Sequence, residues 1–279
     1  MRGRWARSRE RYAVAAAAPR PYRGFTSSWT TVGGVPLHAR VGPVDRPGPR
    51  LVLVHGLAVS HRYLMPTAVL LADRHPVAAP DLPGFGLSGE PGRVLDTRAL
   101  ADALGGWLEA TGGGPAVLLG NSYGCQVIVD LVARRPAVAT AVVLAGPTVD
   151  PSAAGALRQV LRWLRDAARE DPTQAPVLVR DVRDAGVRRV VGTLRHSVRD
   201  RIEQKLPAVT VPGLVVRGGI EPIVPVRWAA QAAQLLPHGE LAELPGVPHN
   251  SVYAGSAALA GTVEGFLARV LTPPGTGTG

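Results

Sequence analysis

The sequence predicts an α/β fold in which a mostly parallel sheet, of the eight-stranded type, carries helices on both faces. Short apolar runs typical of buried strands alternate with segments of helical periodicity from Leu51 to Leu271, with one interruption. Hydrophobic residues make up 46% of the 279 residues, which is enough to bury a large core. Before the alternation begins, Gly33-Gly34 joins Trp29–Val32 to Val35–Val41 and predicts an antiparallel hairpin.

After the hairpin, each predicted element is recognised by its apolar spacing. In Thr97–Thr111, for example, Leu100, Leu104, Trp107 and Leu108 fall on one face of a helix. The predicted strands are Leu51–Val54, Val77–Ala79, Ala116–Leu119, Ala139–Ala145, Leu214–Val216 and Leu241–Leu244. The predicted helices are Ser60–Arg74 with Ser60 as its cap, Thr97–Thr111, Tyr123–Arg135, Pro225–Leu236 and Ser256–Leu271.

The alternation stops at about residues 151–208, where no strand-like run occurs. Leu157, Val160, Leu161 and Leu164 recur there at spacings of three and four, which indicates a helix with one apolar face. The same segment holds twelve basic and seven acidic residues, so its outer side should be solvated. We therefore expect a single domain over residues 23–271, with a helical cap whose apolar face covers a pocket that favours small hydrophobic substrates.

The net charge of +10 does not by itself indicate a nucleic-acid partner. Residues 1–23 hold seven arginines and one glutamate, the cap holds most of the remaining excess, and the rest of the chain is close to neutral. Thirty of the 31 basic residues are arginine, a bias that fits general codon usage, and no nucleic-acid-binding motif accompanies it. The expected partner is a small-molecule substrate, with the oligomeric state left open.

The chain ends are predicted to be flexible. Residues 1–22 are interpreted as a basic extension, because the apolar stretch Ala13–Ala18 is shorter than a secretory signal requires. Residues 272–279 contain only threonine, proline and glycine and are predicted to be disordered. No apolar run is long enough to span a membrane, so a cytoplasmic location is expected.

Metal and disulfide chemistry are not expected. Cys125 is the single cysteine, which excludes a disulfide framework, and no clustered histidine motif for a metal occurs. His38 is expected to be solvated or to lie at a strand end, His55 to be structural, and Asp81 to hold a turn. No cofactor is anticipated.

The strongest functional motif is Gly120-Asn121-Ser122-Tyr123-Gly124, a G-x-S-x-G sequence between a predicted strand and a predicted helix. In that context the glycines permit a sharp turn that presents the serine hydroxyl at the edge of the sheet. Serine is a weak nucleophile and needs a base that is held by a third group. Glu221 and His249 each follow a later strand, and the order serine, acid, histidine is the one that this turn requires.

Two further segments follow predicted strands, namely His55-Gly56-Leu57 and the run from Asp81 to Ser88, which reads DLPGFGLS. Together with the serine, acid and histidine segments, they resemble the α/β-hydrolase fold superfamily. The similar branch contains cofactor-free esterases, haloperoxidase-like enzymes and serine C–C bond hydrolases, and the resemblance covers roughly residues 24–271. It implies Ser122 as nucleophile, His249 as general base, and the backbone N–H groups of Leu57 and Tyr123 as oxyanion donors.

The acid of the predicted triad has two candidates. The family usually has aspartate where this chain has Glu221, followed by Pro222-Ile223-Val224-Pro225. Asp150, beyond the strand Ala139–Ala145, is the alternative, because some relatives place the acid there. Three functions are also left open: carboxylic-ester hydrolysis, C–C bond hydrolysis or another cofactor-free reaction, and non-catalytic binding of a small molecule.

Overall fold

The computed structural model describes residues 22–153 and 155–271, and its centre is one eight-stranded sheet. The strands lie in the spatial order β1-β2-β4-β3-β5-β6-β7-β8, so the predicted mostly parallel, eight-stranded sheet is confirmed. Their bounds are β1 (Thr26–Val32), β2 (Val35–Val41), β3 (Leu51–Val54), β4 (Val77–Pro80), β5 (Ala116–Asn121), β6 (Ala139–Ala145), β7 (Gly213–Gly218) and β8 (Gly239–Leu244).

Nine α-helices lie in the described ranges. They are α1 (His61–Leu71), α2 (Thr97–Ala110), α3 (Tyr123–Arg134), α4 (Ala156–Ala167), α5 (Ala175–Ala185), α6 (Val187–Arg199), α7 (Ile202–Lys205), α8 (Val226–Leu235) and α9 (Ser256–Val270). The Ser60 side chain accepts a hydrogen bond from the Arg62 N–H at 3.3 Å and so caps α1, as its sequence predicts.

The hairpin forms one end of the sheet. Strands β1 and β2 are antiparallel, and Gly33 and Gly34 make the turn with φ of +54° and +79°, a backbone conformation that favours glycine. Strand β2 is also antiparallel to β4, while β3 to β8 pair in parallel. Because the strands from β3 onward run in one direction, their carboxyl ends meet at the same edge.

A hydrophobic core lies on each face of the sheet. On one face, α2, α3 and α8 bury Leu104, Trp107 and Trp228 against the strands. On the other, Leu64 of α1 and Phe266 of α9 are fully buried. Burial of large apolar side chains on both faces is the physical reason that these strands lack an apolar–polar alternation.

The chain between β6 and β7 contains α4, α5, α6 and α7, with no strand among its described residues. It is attached to the core by charged groups: Asp181 of α5 accepts hydrogen bonds from Ser60 and Arg62, and Lys205 pairs with Asp130 of α3 at 2.7 Å. The prediction that the apolar residues of α4 form one face over the pocket is wrong in part. Leu157 and Leu161 are 73% and 46% exposed, because the face of α4 that turns inward carries Val160, Trp163 and Asp166.

The predictions for residues 1–21 and 272–279 lie outside the described residues. Tyr22 makes a backbone bridge to Phe25, so the described structure begins one residue before the predicted boundary. Across 22–153 and 155–271, the helices are too short or too polar for a membrane span.

Candidate active site

Ser122 lies at the turn between β5 and α3, in a strained backbone conformation. Its φ of +55° and ψ of −119° are unusual for a residue with a side chain. The flanking glycines are needed for space: a Cβ on Gly124 would lie 2.4 Å from the Val54 carbonyl oxygen, and one on Gly120 would lie 2.8 Å from the Cys125 nitrogen. The G-x-S-x-G sequence therefore packs this turn directly against β3 and the start of α3.

His249 lies in the loop after β8, and its imidazole Nδ1 is 3.2 Å from Glu221 Oε2 in the loop after β7. A carboxylate only accepts hydrogen bonds, so Nδ1 carries a proton, and in the neutral imidazole Nε2 is then the nitrogen with the free lone pair. His249 is 3% exposed, and no hydrogen-bond partner of Nε2 is found in the described structure. The Nε2 atom is thus a buried acceptor that is available to a proton donor.

The charge on Glu221 controls the basicity of His249. Burial alone would lower the pKa of His249, but the charge and hydrogen bond of Glu221, together with the charges of Asp166 and Glu170, outweigh burial and raise that pKa above its ordinary value. Gly146, at the carboxyl end of β6, gives the imidazole its space: a Cβ there would lie 2.8 Å from His249 Cε1. Sequence reasoning did not identify Gly146, although a glycine directly after a buried strand was the available signal.

Ser122 and His249 line one cavity of about 500 Å³ at the carboxyl edge of the sheet. The core contributes Leu57 and Tyr63 to its wall, and the segment between β6 and β7 contributes Val160, among others. The wall is mostly apolar, so Ser122 and His249 share a partly enclosed space in which few other polar groups compete for a bound molecule. Leu57, predicted as an oxyanion donor, follows β3 by three residues and lines this cavity.

Tyr123, the other predicted oxyanion donor, is the first residue of α3. The first N–H groups of a helix have no acceptor within that helix, so the Tyr123 N–H is available to an anion beside Ser122. The Tyr123 ring is directed elsewhere, since its hydroxyl lies 3.2 Å from Thr97 Oγ1. Only its backbone therefore belongs to the candidate site.

Tyr63 links the turn that bears Leu57 to the turn that bears Ser122. Its hydroxyl accepts a hydrogen bond from the Gly56 N–H at 2.9 Å and donates one to Asn121 Oδ1 at 2.7 Å. Asn121 Nδ2 in turn donates to the Ala145 carbonyl oxygen at 3.2 Å. No pattern in the sequence indicates this link, because a tyrosine at helical spacing is typical of an ordinary core residue.

Asp150 binds residues other than His249. Its carboxylate pairs with Arg227 at 2.6 Å and Arg162 at 3.0 Å, and it also accepts hydrogen bonds from Ser152. Burial would raise the pKa of Asp150, but these partners lower it below its ordinary value. Of the two candidate acids, the hydrogen bond to His249 is made by Glu221.

Asp166 and Glu170, which sequence reasoning missed, line the same cavity. The backbone N–H of His249 donates to Asp166 Oδ1 at 3.4 Å, and that of Asn250 donates to Glu170 Oε1 at 2.7 Å. Burial raises the pKa of Asp166 to about 7, and Glu170 and Glu221 contribute to that rise. Asp166 is in the last turn of α4 and Glu170 lies in the turn that follows, and no spacing in the sequence shows that both side chains face the cavity.

A second polar cluster surrounds Asp81. Both His38 Nδ1 and His61 Nδ1 donate to Asp81 Oδ2 at 2.8 Å, and the backbone N–H of Leu87 donates to the same oxygen at 3.0 Å. The expectation of a solvated or strand-end His38 is wrong, because the side chain is fully buried by this contact and by Ser27. The ligand-type atoms of the cluster lie within 4.8 Å of one another, but they are engaged in holding the Asp81 turn.

Comparisons with known proteins place the chain among hydrolases. A family model described as the alpha/beta hydrolase family matches residues 51–263. A 2-(acetamidomethylene)succinate hydrolase from Mesorhizobium japonicum is 26% identical over 253 residues, which cover 81% of this chain and 89% of that protein.

Solved structures show the same fold. A bacterial membrane phospholipase A superposes with a TM-score of 0.77 at 20% identity, covering 95% of this chain and 93% of its own. An esterase from Thermogutta terrifontis superposes with a TM-score of 0.73 at 20% identity, covering 89% and 99% of the two chains.

Proposed function

The chain belongs to the alpha/beta hydrolase family, and from that premise we propose that it is a serine hydrolase acting on a carboxylic ester or similar carbonyl compound. The observation that carries the proposal is the placement of Ser122 and His249 in one cavity, with Glu221 hydrogen-bonded to the far side of the imidazole. A nucleophile, a base and an orienting carboxylate are the three groups that acyl transfer by serine requires.

In the proposed reaction, His249 Nε2 accepts the proton of Ser122 Oγ as that oxygen attacks the substrate carbonyl carbon. The backbone N–H groups of Leu57 and Tyr123 stabilise the oxyanion of the tetrahedral intermediate. The imidazolium then protonates the leaving alkoxide, and an acyl-enzyme remains on Ser122. His249 next removes a proton from water, whose oxygen attacks the acyl carbon, and collapse of the second intermediate releases the acid and returns the proton to Ser122.

Glu221 supports both halves of this cycle. Its hydrogen bond to Nδ1 fixes the tautomer in which Nε2 is the acceptor, and its charge stabilises the imidazolium that forms. Ser122 makes no side-chain hydrogen bond that caps α3. In its strained backbone conformation the hydroxyl is therefore left at the cavity wall, where a substrate can reach it. No step of the cycle calls for a cofactor or a metal ion.

The segment between β6 and β7 acts as the cap in this proposal. Val160 and Trp163 of α4 and Leu178 of α5 line the cavity opposite the core, which supports a small, largely apolar acyl group. The relatives are named for a substituted succinate and for phospholipid or ester hydrolysis, so membership of the family does not select the acyl group.

Hydrolysis of a series of 4-nitrophenyl esters tests the proposal. Wild-type protein should turn over short and medium acyl esters continuously, and Ser122→Ala should reduce the rate to that of buffer while its melting temperature stays close to wild type. Turnover of a vinylogous diketone without ester turnover would instead assign C–C hydrolysis. A burst of nitrophenol with no steady rate would favour the binding-protein alternative.

A further inference from the structure

The charged side chains of the cavity above Ser122 are of one sign. Besides His249, which is a base, the carboxyl groups that line it belong to Asp166, Glu170 and Asp171, which we call the acidic wall. Asp166, with a pKa raised to about 7, is partly ionised at neutral pH. None of the described residues lining the cavity is a lysine or an arginine. This is unexpected in a chain with 31 basic and 21 acidic residues, and in a cap segment that is itself predominantly basic.

The cap arginines nearest to the wall are directed away from the cavity or already paired. Arg165 and Arg169 are close to Asp166 in sequence, but both are exposed and neither lines the cavity. Arg162 is half-buried and pairs with Asp150 at 3.0 Å, and it also donates to the Ile223 carbonyl oxygen at 3.1 Å. The cap is therefore basic towards solvent and acidic towards the cavity.

The acidic wall lies next to the reacting groups. Asp166 accepts the His249 backbone N–H at 3.4 Å, and Glu170 accepts that of Asn250 at 2.7 Å. Glu170 also accepts a hydrogen bond from Gln174 Nε2 at 2.8 Å. A carboxylate has about four lone pairs, so both Asp166 and Glu170 can still accept further hydrogen bonds. Asp171, at the rim, is held by Thr173, which keeps the pKa of that carboxyl below its ordinary value and so keeps it ionised.

A second feature of the cavity points to a polar ligand. His249 Nε2 is buried without a hydrogen-bond partner in the described structure, at the end of the cavity that holds Ser122. A bound molecule would thus contact the unpaired His249 Nε2 near Ser122, apolar side chains in the centre of the cavity, and carboxylates on the cap side. Opposite charges attract strongly in such a partly dry site, while an anionic substrate would meet repulsion there.

We propose that the cavity selects substrates whose acyl portion carries an amine, protonated at neutral pH, that pairs with the acidic wall, and that it rejects acyl groups bearing a carboxylate. This inference deepens the proposed serine hydrolase function and rests on it for the reacting group. It replaces the expectation of a purely hydrophobic substrate with an apolar chain that ends in a cation.

Three esters of matched length test the charge selection: 4-nitrophenyl 6-aminohexanoate, 4-nitrophenyl heptanoate and 4-nitrophenyl hydrogen adipate. Each kcat/KM is divided by the hydroxide-catalysed rate of the same ester, which removes differences in intrinsic reactivity. We expect the ammonium ester to exceed the adipate ester by about tenfold or more. Equal values for the two, or a preference for the adipate ester, would overturn the inference.

Amide variants show whether the acidic wall causes the preference. Asp166→Asn and Glu170→Gln keep the oxygens that accept the backbone bonds of His249 and Asn250 but remove the charge. The double variant should bring the ammonium and heptanoate esters to within about threefold of one another. Glu203→Gln removes one carboxylate charge from the cap at a position outside the cavity, and it should keep the wild-type preference. A preference that survives in the double variant would contradict the role of the wall.

Binding to Ser122→Ala separates failure of this inference from failure of the proposed function. Calorimetric titration with hexylammonium and with hexanoate requires no turnover. Tighter binding of hexylammonium, lost in the Asp166→Asn/Glu170→Gln background, would support charge selection even if no ester is hydrolysed. Hexanoate binding as tightly as hexylammonium, or no binding of either, would overturn charge selection even if the ester panel shows an active serine hydrolase.

Discussion

His249 Nδ1 lies 3.2 Å from Glu221 Oε2, and both side chains are almost completely buried. The family usually has aspartate at the acid position, so the glutamate spans the same gap with one more methylene group. Glu221 Oε2 also accepts the Gly218 N–H at 3.3 Å, which ties the carboxylate back to the strand that carries it. The longer glutamate side chain is therefore held in place by a hydrogen bond to its carboxylate as well as by its attachment to the backbone.

Exchanging the two candidate acids for amides should separate their roles. Glu221→Gln should lower kcat for an activated ester by about 10²- to 10⁴-fold, because the amide no longer fixes the productive tautomer or stabilises the imidazolium. Asp150→Asn should lower kcat by less than about tenfold and reduce stability instead, because Arg162 and Arg227 lose their buried carboxylate. Steady-state kinetics and urea unfolding of both variants provide the check, and the opposite ranking would transfer the acid role to Asp150.

The pH dependence of kcat/KM should report the raised pKa of His249. The general base must be neutral, so activity should fall as pH drops through an apparent pKa above the ordinary 6.5 of histidine. Glu221→Gln should move this acid limb to lower pH, because the carboxylate that favours the imidazolium is gone.

Other acids face His249 and affect the same limb. Asp166 and Glu170 also favour its protonated form, but Asp166 has a weaker effect than Glu221, so Asp166→Asn should shift the limb by less. An acid limb that is identical in wild type and Glu221→Gln would show that another group controls the activity.

Tyr63→Phe tests the link between the two turns of the site. Loss of the hydroxyl leaves the buried Gly56 N–H and Asn121 Oδ1 without their partner, so the turn that bears Leu57 should lose its fixed position. We expect kcat to fall by about tenfold or more with little change in KM, since a displaced oxyanion donor affects mainly the transition state. Tyr253→Phe, whose hydroxyl lies 3.3 Å from Thr173 Oγ1 at an exposed position, should leave kcat unchanged. Equal rates for Tyr63→Phe and wild type would remove Tyr63 from the positioning role.

Asp81→Asn should destabilise the fold by about 2–4 kcal/mol at pH 7, since a buried carboxylate that binds two imidazoles is replaced by a weaker partner. Burial raises the pKa of Asp81, but His61 and His38 outweigh it and hold the pKa well below the ordinary 3.8. The folded-state pKa is depressed, so the contribution is present above the unfolded-state value of 3.8 and is lost as pH falls below it.

Urea unfolding at pH 7 and pH 3 measures this effect. The stability gap between wild type and Asp81→Asn should narrow on acidification, while Asp45→Asn, at an exposed site, should stay within about 0.5 kcal/mol of wild type at both pH values. A gap that widens at pH 3 would contradict the depressed pKa.

Local chemistry explains which features the sequence could reveal. The central strands β3 to β6 are largely apolar because both faces of the sheet are covered there, and Ser122 lies between two glycines because the turn has no space for side chains at those positions. Such constraints act within a few residues and leave a readable pattern. The hairpin at Gly33-Gly34 is predicted for the same reason.

Features that depend on how distant elements face one another could not be predicted. Leu157 and Leu161 share an apolar spacing with Val160 and Leu164, yet only the latter two line the cavity. The contact between His38 and Asp81 joins residues 43 positions apart. No periodicity encodes either relationship.

The central claim, that Ser122 is the nucleophile activated by His249, is tested most directly by intact-mass analysis after incubation with an alkyl fluorophosphonate. Wild-type protein should gain one phosphonyl group, located on Ser122 by peptide mapping, and His249→Ala should react much more slowly because its serine is not deprotonated. Ser122→Ala should gain none while its thermal unfolding is close to that of wild type. Labelling of Ser122→Ala at the wild-type rate and stoichiometry would contradict the assignment.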